Sequence, residues 1–344
     1  MPTLMPVSPE LLPLQEVLQR ALARVEQRLD RQLRSDLPPV QRLVEHVEQY
    51  RGKMIRPIMA VLAGLAVNPA AKQPADEHVL EAHVTVAGTC ELIHLATLVH
   101  DDVLDEADQR RRARTVNRLR GNEAAVILGD YLFSAAYHLC SQLDAQSTAL
   151  LVARVGMTLC AGELLQLHHR ENFSLDEPTY FEIVRRKTAS LIAVACQLGA
   201  MHSGADPALA QRFDDFGDAI GIAFQIQDDL LDLTGEQAVV GKSLGKDLEK
   251  GKLTLSLIHH LAAAGASRRG QTLRLLESAT QHGQAAELGP RLVDALKSTG
   301  SIDHARRTAE EFVRRAKDSL EPLHDSPART LMRQLADAVV TRAY

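Results

Sequence analysis

The strongest constraint on the fold is an apolar periodicity of about 3.6 residues that runs through nearly the whole chain. Residues 15–33 repeat Val17, Leu18, Ala21, Val25 and Leu29, one face of a helix. The same pattern predicts helices over 40–50, 54–67, 122–143, 149–172, 179–203 and 208–233. Residues 77–107 read as one long helix, apolar on most sides. Such a helix has to be covered by other helices and belongs inside a bundle. Pro38-Pro39 ends the first helical region, and Ser174, Glu177 and Pro178 make a start signal before Thr179. An Arg-rich loop (Arg110, Arg111, Arg112, Arg114) and a Gly- and Lys-rich loop over 235–251 interrupt the pattern. Several amphipathic helices follow from Leu253 to the end, and no alternating strand pattern of useful length occurs. The reading is an all-α, single-domain helical bundle over residues 13–344, with a flexible N-terminal tail over 1–12.

Composition removes several function classes. Lys and Arg total 39 against 44 Asp and Glu, a net charge of −5, so a phosphate-tracking nucleic-acid binder is not expected. There is no Trp and aromatics are 3%, which leaves few platforms for stacking bases and makes the core aliphatic. Cys90, Cys140, Cys160 and Cys196 form no C-x-x-C pair and sit in apolar stretches, the usage of a reducing cytoplasm. No basic-then-apolar signal opens the chain over Met1 to Leu14. The apolar stretch 189–201 is interrupted by Ser190, Gln197 and Gly199, short of the roughly 20 residues that span a bilayer, so no transmembrane segment is expected.

Two acidic clusters stand out against this apolar background. In H-D-D-V-L-D-E (100–106), Asp101 and Asp105 are one helical turn apart on one face, with Asp102 beside them and His94, Thr97 and Asp108 extending the stripe. Carboxylates so spaced suit a hard divalent cation such as Mg²⁺. A lone D-x-x-x-D is ordinary at a solvated helix end. A second cluster, F-Q-I-Q-D-D-L-L-D (224–232), places Gln225, Asp228, Asp229 and Asp232 at i, i+3, i+4 and i+7 on a helix otherwise crowded by Ile222, Ala223, Ile226, Leu230 and Leu231. Acids on a buried helix are costly unless paired or bound to metal, so two such clusters imply facing walls of one acidic cavity. Cations accompany them: Lys53, Arg56, Arg110, Arg111, Lys187 with Thr188, Lys242, Lys246 and Lys252. Mg²⁺ with Lys and Arg is equipment for phosphates, although Lys246, Lys250 and Arg112 taken singly read rather as solvated surface charge. Other phosphate and hydrolase signatures fail. The Gly241–Lys246 spacing is one residue short of a Walker loop, no G-x-S-x-G or H-E-x-x-H occurs, and the adjacent pairs His168-His169 and His259-His260 point to different helix faces.

These residues resemble the trans-isoprenyl diphosphate synthases, the polyprenyl synthetases, from about residue 15 to the C-terminus. The matching segments are R-G-K-M-I-R-P (51–57), E-L-I-H-L-A-T-L-V-H-D-D-V-L-D (91–105), G-N-E-A-A-V-I-L-G-D-Y-L (121–132), G-E-L-L-Q-L (162–167), R-R-K-T-A (185–189), G-I-A-F-Q-I-Q-D-D-L-L-D (221–232) and G-K-S-L-G-K-D-L-E-K-G-K-L-T-L (241–255). The likeness is greatest to bacterial long-chain members. It implies the isoprenoid-synthase fold, a homodimer, and condensation of isopentenyl diphosphate onto an allylic diphosphate. It implies Mg²⁺ held by Asp101, Asp105, Asp228, Asp229 and Asp232, with Asp102 and Lys187 counted in the catalytic set. Arg110, Lys187, Thr188, Gln225, Lys242 and Lys252 are implied contacts of the allylic diphosphate, and Lys53, Arg56, His94 and Arg111 of isopentenyl diphosphate. Ala96 and Thr97 match positions that gate product length. Both are small, as is Gly156 further on, so an open tunnel and an octaprenyl product for a quinone side chain are expected. Two departures occur: Arg112 and Arg51 stand where the family commonly has glycine. A short-chain synthase, a non-catalytic subunit and a terpene cyclase are the alternatives. Intact motifs weigh against the subunit, and scarce aromatics against the cyclase.

Overall fold

The computed structural model describes residues 8–111, 113–234, 250–282 and 285–341. The apolar periodicity becomes helix almost throughout. In chain order these are α1 (Leu12–Leu33), α2 (Pro38–Glu48), α3 (Ile55–Val67), α4 (Glu81–Leu104), α5 (Val116–Arg120), α6 (Asn122–Cys140), α7 (Gln146–His168) and α8 (Glu177–Val184). A π-helical turn, Arg185–Ala189, leads into α9 (Ser190–His202). Then come α10 (Pro207–Thr234), α11 (Leu255–Ala263), α12 (Ala266–His282), α13 (Ala285–Ser298), α14 (Ser301–Ser319) and α15 (Pro327–Thr341).

Several boundaries differ from the sequence reading for identifiable reasons. Pro38 and Pro39 open α2 rather than closing α1, because a first-turn proline loses no helical hydrogen bond. The cap of α8 is Asp176, whose carboxylate accepts the Thr179 backbone N–H at 2.9 Å; Ser174 lies outside it. The long helix 77–107 is a 3₁₀ turn, Asp76–His78, followed by α4. The Arg-rich loop is a small antiparallel hairpin, β1 (Gln109–Arg110) on β2 (Ala113–Arg114), with Arg110 opposite Ala113. The Gly- and Lys-rich loop lies outside the described residues over 235–249, and Lys242, Lys246 and Arg112 with it.

The described residues group into two compact units. The first comprises Met1–Met157, Leu191–Gly217 and Leu320–Met332. In it α4 packs on α6, α3 and α1, and Leu18, Leu29, Leu62, Leu92, Phe213 and Phe216 are fully buried. The second comprises Thr158–Ser190, Asp218–Ser319 and Arg333–Tyr344. Its core joins Tyr180 and Val184 of α8 to Ile222 and Ile226 of α10, Leu257 of α11, Leu292 of α13 and Ala309 of α14. Both cores are mainly aliphatic, with Phe213, Phe216 and Tyr180 among the few buried aromatics.

Two helices, α4 and α7, are longer apolar segments than 189–201 and reach membrane-spanning length and composition. Most of the apolar window of α4, 78%, is buried inside the fold, as a core helix is. The apolar window of α7 is only 33% buried, and Leu150, Met157 and Leu164 are exposed along it.

Candidate active site

The first unit holds the first acidic motif and a group of guanidinium cations. Asp101 and Asp102 occupy the last turn of α4, and Asp105 is its C-cap. Asp101 and Asp105 are half-buried and Asp102 is buried. Asp102 does not face solvent as its neighbours do: Arg110 Nε donates to its Oδ1 at 2.8 Å, and Arg110 Nη2 lies 2.8 Å from the same oxygen. The Asp102 carbonyl also accepts from the Asn117 side-chain amide at 3.1 Å. Nearby, burial and the Asp102 charge push the Tyr50 hydroxyl up to about 12, and that hydroxyl accepts the Val116 N–H at 3.1 Å. Asp102 therefore holds the hairpin and Arg110 against the end of α4.

Arg111 sits in the hairpin turn with φ 49°, a left-handed backbone that few non-glycine residues adopt. Its guanidinium lies directly over Gly52, where any Cβ would collide with it. Arg56 comes from the first turn of α3, and its Nε is buried with no hydrogen-bond acceptor. Neither Arg56 nor Arg111 forms an ion pair among the described residues. Burial lowers both guanidinium pKa values, opposed by the charge of Glu91. His94, one turn of α4 beyond Glu91, is held well below the ordinary imidazole value by burial and then by Arg56, Arg110 and Arg111. Glu91 itself is 2% exposed, and burial raises its carboxyl above the ordinary range despite Arg56, Arg111 and Arg51. Lys53 is exposed beside Gly52. Arg51, which replaces a glycine of the family pattern, is within reach of the Glu91 charge but paired with Asp30 at 2.9 Å and Glu48 at 3.4 Å.

The second unit holds the second motif on α10. Asp228 is exposed, Asp232 half-buried and Asp229 buried. Asp229 Oδ2 accepts the Tyr180 hydroxyl at 2.7 Å, and its Oδ1 accepts the Gln225 amide at 2.8 Å. Gln225 Oε1 accepts the Thr188 hydroxyl at 2.9 Å. Lys187 forms an ion pair with Glu163 of α7. Tyr180, Lys187, Thr188, Gln225, Asp229 and Lys252 help line a cavity of about 120 Å³. Lys187 and Thr188 belong to the π-helical turn, a feature that recurs at functional sites.

Of the two positions expected to gate length, Ala96 is fully buried on α4, and the Thr97 hydroxyl donates to the His94 carbonyl at 2.8 Å. The space beside Gly156 is taken by the Tyr137 hydroxyl rather than left open. Glu91, Glu163 and Tyr180 were not singled out by the sequence. Each was available in it: Glu91 opens E-L-I-H, Glu163 follows the glycine of G-E-L-L-Q-L, and Tyr180 precedes Lys187 by two helical turns.

Among the described residues, no three His, Cys, Asp or Glu side chains form a group that could by itself hold a metal ion. The donor set still fits Mg²⁺, which takes one or two carboxylates, keeps water and shares substrate phosphate oxygens rather than needing an all-protein cage.

Comparison with known proteins decides the family. The polyprenyl synthetase family model matches residues 38–289. The chain belongs to the polyprenyl synthetase family. It is 33% identical to octaprenyl diphosphate synthase of Escherichia coli (strain K12) over 327 residues, covering 95% of this chain and 97% of that one. It is also 33% identical to heptaprenyl diphosphate synthase component 2 of Geobacillus stearothermophilus, with 94% and 96% covered. Geranylgeranyl diphosphate synthase of Methanosarcina mazei matches at 33%, with 85% and 86% covered. Among solved structures, a decaprenyl diphosphate synthase from Rhodobacter capsulatus superposes with TM-score 0.85 at 33% identity, covering 96% and 98%. A polyprenyl synthase from Caulobacter crescentus, complexed with calcium and isoprenyl diphosphate, gives 0.86 at 29% identity, covering 97% and 98%. The all-α isoprenoid-synthase fold and a trans-prenyltransferase activity follow. The relatives span several product lengths, so membership alone does not fix that of this polyprenyl synthetase.

Proposed function

We propose that this enzyme is a long-chain all-trans-polyprenyl diphosphate synthase. It adds isopentenyl diphosphate to an allylic diphosphate primer and makes an octaprenyl product for quinone side chains. It works in the cytoplasm as a homodimer with Mg²⁺. The observation that carries the reading is the pair Arg56 and Arg111: cations without ion-pair partners among the described residues, gathered with His94 next to the acidic turn of α4. Arg56 Nε is buried with no hydrogen-bond acceptor and Arg111 is exposed beside it, so together they offer a site for an anion from outside the chain.

In this reading Arg56, Arg111, Lys53 and His94 bind isopentenyl diphosphate, while Arg110, Lys187, Thr188, Gln225, Lys242 and Lys252 bind the allylic diphosphate. Asp101, Asp105 and Asp228 are the principal groups that would hold Mg²⁺, with Asp229 and Asp232 from the resemblance beside Asp228. When bound, the metal neutralises charge that develops on the leaving diphosphate. The cations here do the same from fixed positions, the electrostatic stabilisation that dominates such sites. The allylic C–O bond breaks and its electron pair leaves with the diphosphate. The terminal double bond of isopentenyl diphosphate supplies the electrons of the new C–C bond, and a proton lost to the released diphosphate restores an alkene. The buried imidazole of His94, held neutral, offers a hydrogen bond without adding charge. Aliphatic walls exclude water from the cation. Incubation of the purified chain with farnesyl and isopentenyl diphosphates plus Mg²⁺ tests the reading. Products of about eight isoprene units support it, and unchanged substrates or a product that stops at three or four units contradict it.

A further inference from the structure

Asp228 and Asp229 are consecutive on α10, yet their settings are opposite. Asp228 is exposed, whereas Asp229 is 8% exposed and both of its oxygens accept hydrogen bonds from inside the unit. The Tyr180 hydroxyl reaches one oxygen at 2.7 Å and the Gln225 amide the other at 2.8 Å. Gln225 in turn accepts from Thr188 at 2.9 Å. The chain Tyr180–Asp229–Gln225–Thr188 thus joins α8, α10 and the π-helical turn. Two glycines let these elements come close. A Cβ on Gly221 would strike Ala189, and one on Gly162 would strike the backbone of Arg186 and Lys187.

Successive residues of an α-helix point about 100° apart, so fixing the direction of one side chain fixes the face its neighbour presents. An acceptor engaged on both oxygens by close donors has little left to offer a cation, while Asp228 on the adjacent face is accessible. We propose that Asp229 is the anchor of the second acidic motif rather than a metal ligand, and that Tyr180 is a positioning residue whose hydroxyl, through Asp229, sets the direction in which Asp228 meets Mg²⁺ and the allylic diphosphate. This deepens the proposed prenyltransferase reading and rests on it. Tyr180 ties α8 to the Asp229 carboxylate, and Thr188 ties the π-helical turn to the same face of α10 through Gln225, so loss of the Tyr180 bond lets α10 shift locally without opening the core around Ile222 and Ile226.

The test uses the full chain and three variants, Tyr180→Phe, Asp229→Asn and Asp228→Asn. Mg²⁺ is titrated calorimetrically in the presence of an unreactive farnesyl thiolodiphosphate, and the KM for isopentenyl diphosphate and the melting temperature are measured alongside. Tyr180→Phe and Asp229→Asn should each weaken Mg²⁺-dependent binding of the analogue about tenfold, the scale of one hydrogen bond to a carboxylate. The KM for isopentenyl diphosphate should stay within about twofold of wild type. The double variant should be no worse than the worse single one, because both remove the same link. Asp228→Asn should abolish Mg²⁺-dependent binding. An Asp229→Asn loss as complete as that of Asp228→Asn would make Asp229 a ligand and overturn the proposal. Unchanged Mg²⁺ affinity in both Tyr180→Phe and Asp229→Asn, whatever the melting temperature does, would also overturn it. Asp229→Asn, which keeps the side-chain shape, decides the matter if Tyr180→Phe does not fold. Full Mg²⁺ affinity in Asp228→Asn would remove the metal assignment beneath the proposal, a failure distinct from that of the Tyr180 link.

Discussion

Arg56 buries its Nε without an acceptor, and neither it nor the exposed Arg111 forms an ion pair among the described residues, so an incoming anion should gain from both. Charge-assisted hydrogen bonds contribute about 1.5–3 kcal/mol each, equivalent to roughly ten- to a hundredfold in affinity. Lys53→Ala and Arg56→Ala should raise the KM for isopentenyl diphosphate by that order and leave the allylic substrate nearly unaffected. Lys187→Ala, beside Thr188 in the π-helical turn, should do the reverse. Steady-state kinetics with each substrate varied in turn checks the sorting, and equal effects on both substrates would refute it. A second residue sets a pH limit. His83 is fully buried on α4, its Nδ1 accepts the Leu80 N–H at 3.2 Å, and its Nε2 lies 3.0 Å from the Ser203 hydroxyl. Burial, then the nearby His202, lowers its pKa from 6.5 to about 4. The unfolded chain therefore binds this proton more readily than the folded one. The stability is fully present above pH 6.5 and is lost as pH falls toward 4, by about 3 kcal/mol for this group. Thermal melts across that window should show the decline, and His83→Gln should flatten part of it. An equally steep decline in His83→Gln would assign it elsewhere.

In the proposed reading helix α4 carries both chemistry and a gate. Ala96 lies fully buried, five residues before Asp101, on the helix that packs on α3 and α6. Ala96→Phe should shorten the product to a few isoprene units without abolishing the first condensation, because the ring adds bulk below the acidic turn and leaves its carboxylates intact. The substitution also overpacks the helix contact, at about 1–3 kcal/mol. Product chromatography decides, and a product as long as wild type would move the gate elsewhere. The elements themselves were legible to different depths. The apolar period locates α1, α3, α4 and α10 because each buries one continuous face or nearly all faces. The same period runs through 179–203 as one helix, because a π turn widens the coil without breaking the apolar pattern. The β1–β2 hairpin has two residues per strand, too few for alternation to show. The acidic motifs were visible because carboxylates on apolar helices are anomalous by themselves. Tyr180 and Glu91 are ordinary residues until folding supplies partners. The Tyr180 bond to Asp229 spans 49 positions, which no local pattern records.

Across the whole molecule, each compact unit carries one acidic motif with its own cations: Asp101 and Asp105 with Arg110 and Arg111 in the first, Asp228 with Lys187 and Thr188 in the second. The proposed reaction uses both motifs in a single metal-dependent condensation, so neither unit's carboxylates should be dispensable. The most direct measurement is turnover of farnesyl with isopentenyl diphosphate at saturating Mg²⁺ by Asp101→Ala and Asp228→Ala, beside wild type, with folding checked by circular dichroism. Removing one group that stabilises developing charge costs roughly a hundredfold or more in rate. Both variants should remain folded and lose at least that much activity. Near-normal turnover by either one would contradict the assignment of the two motifs to one reaction.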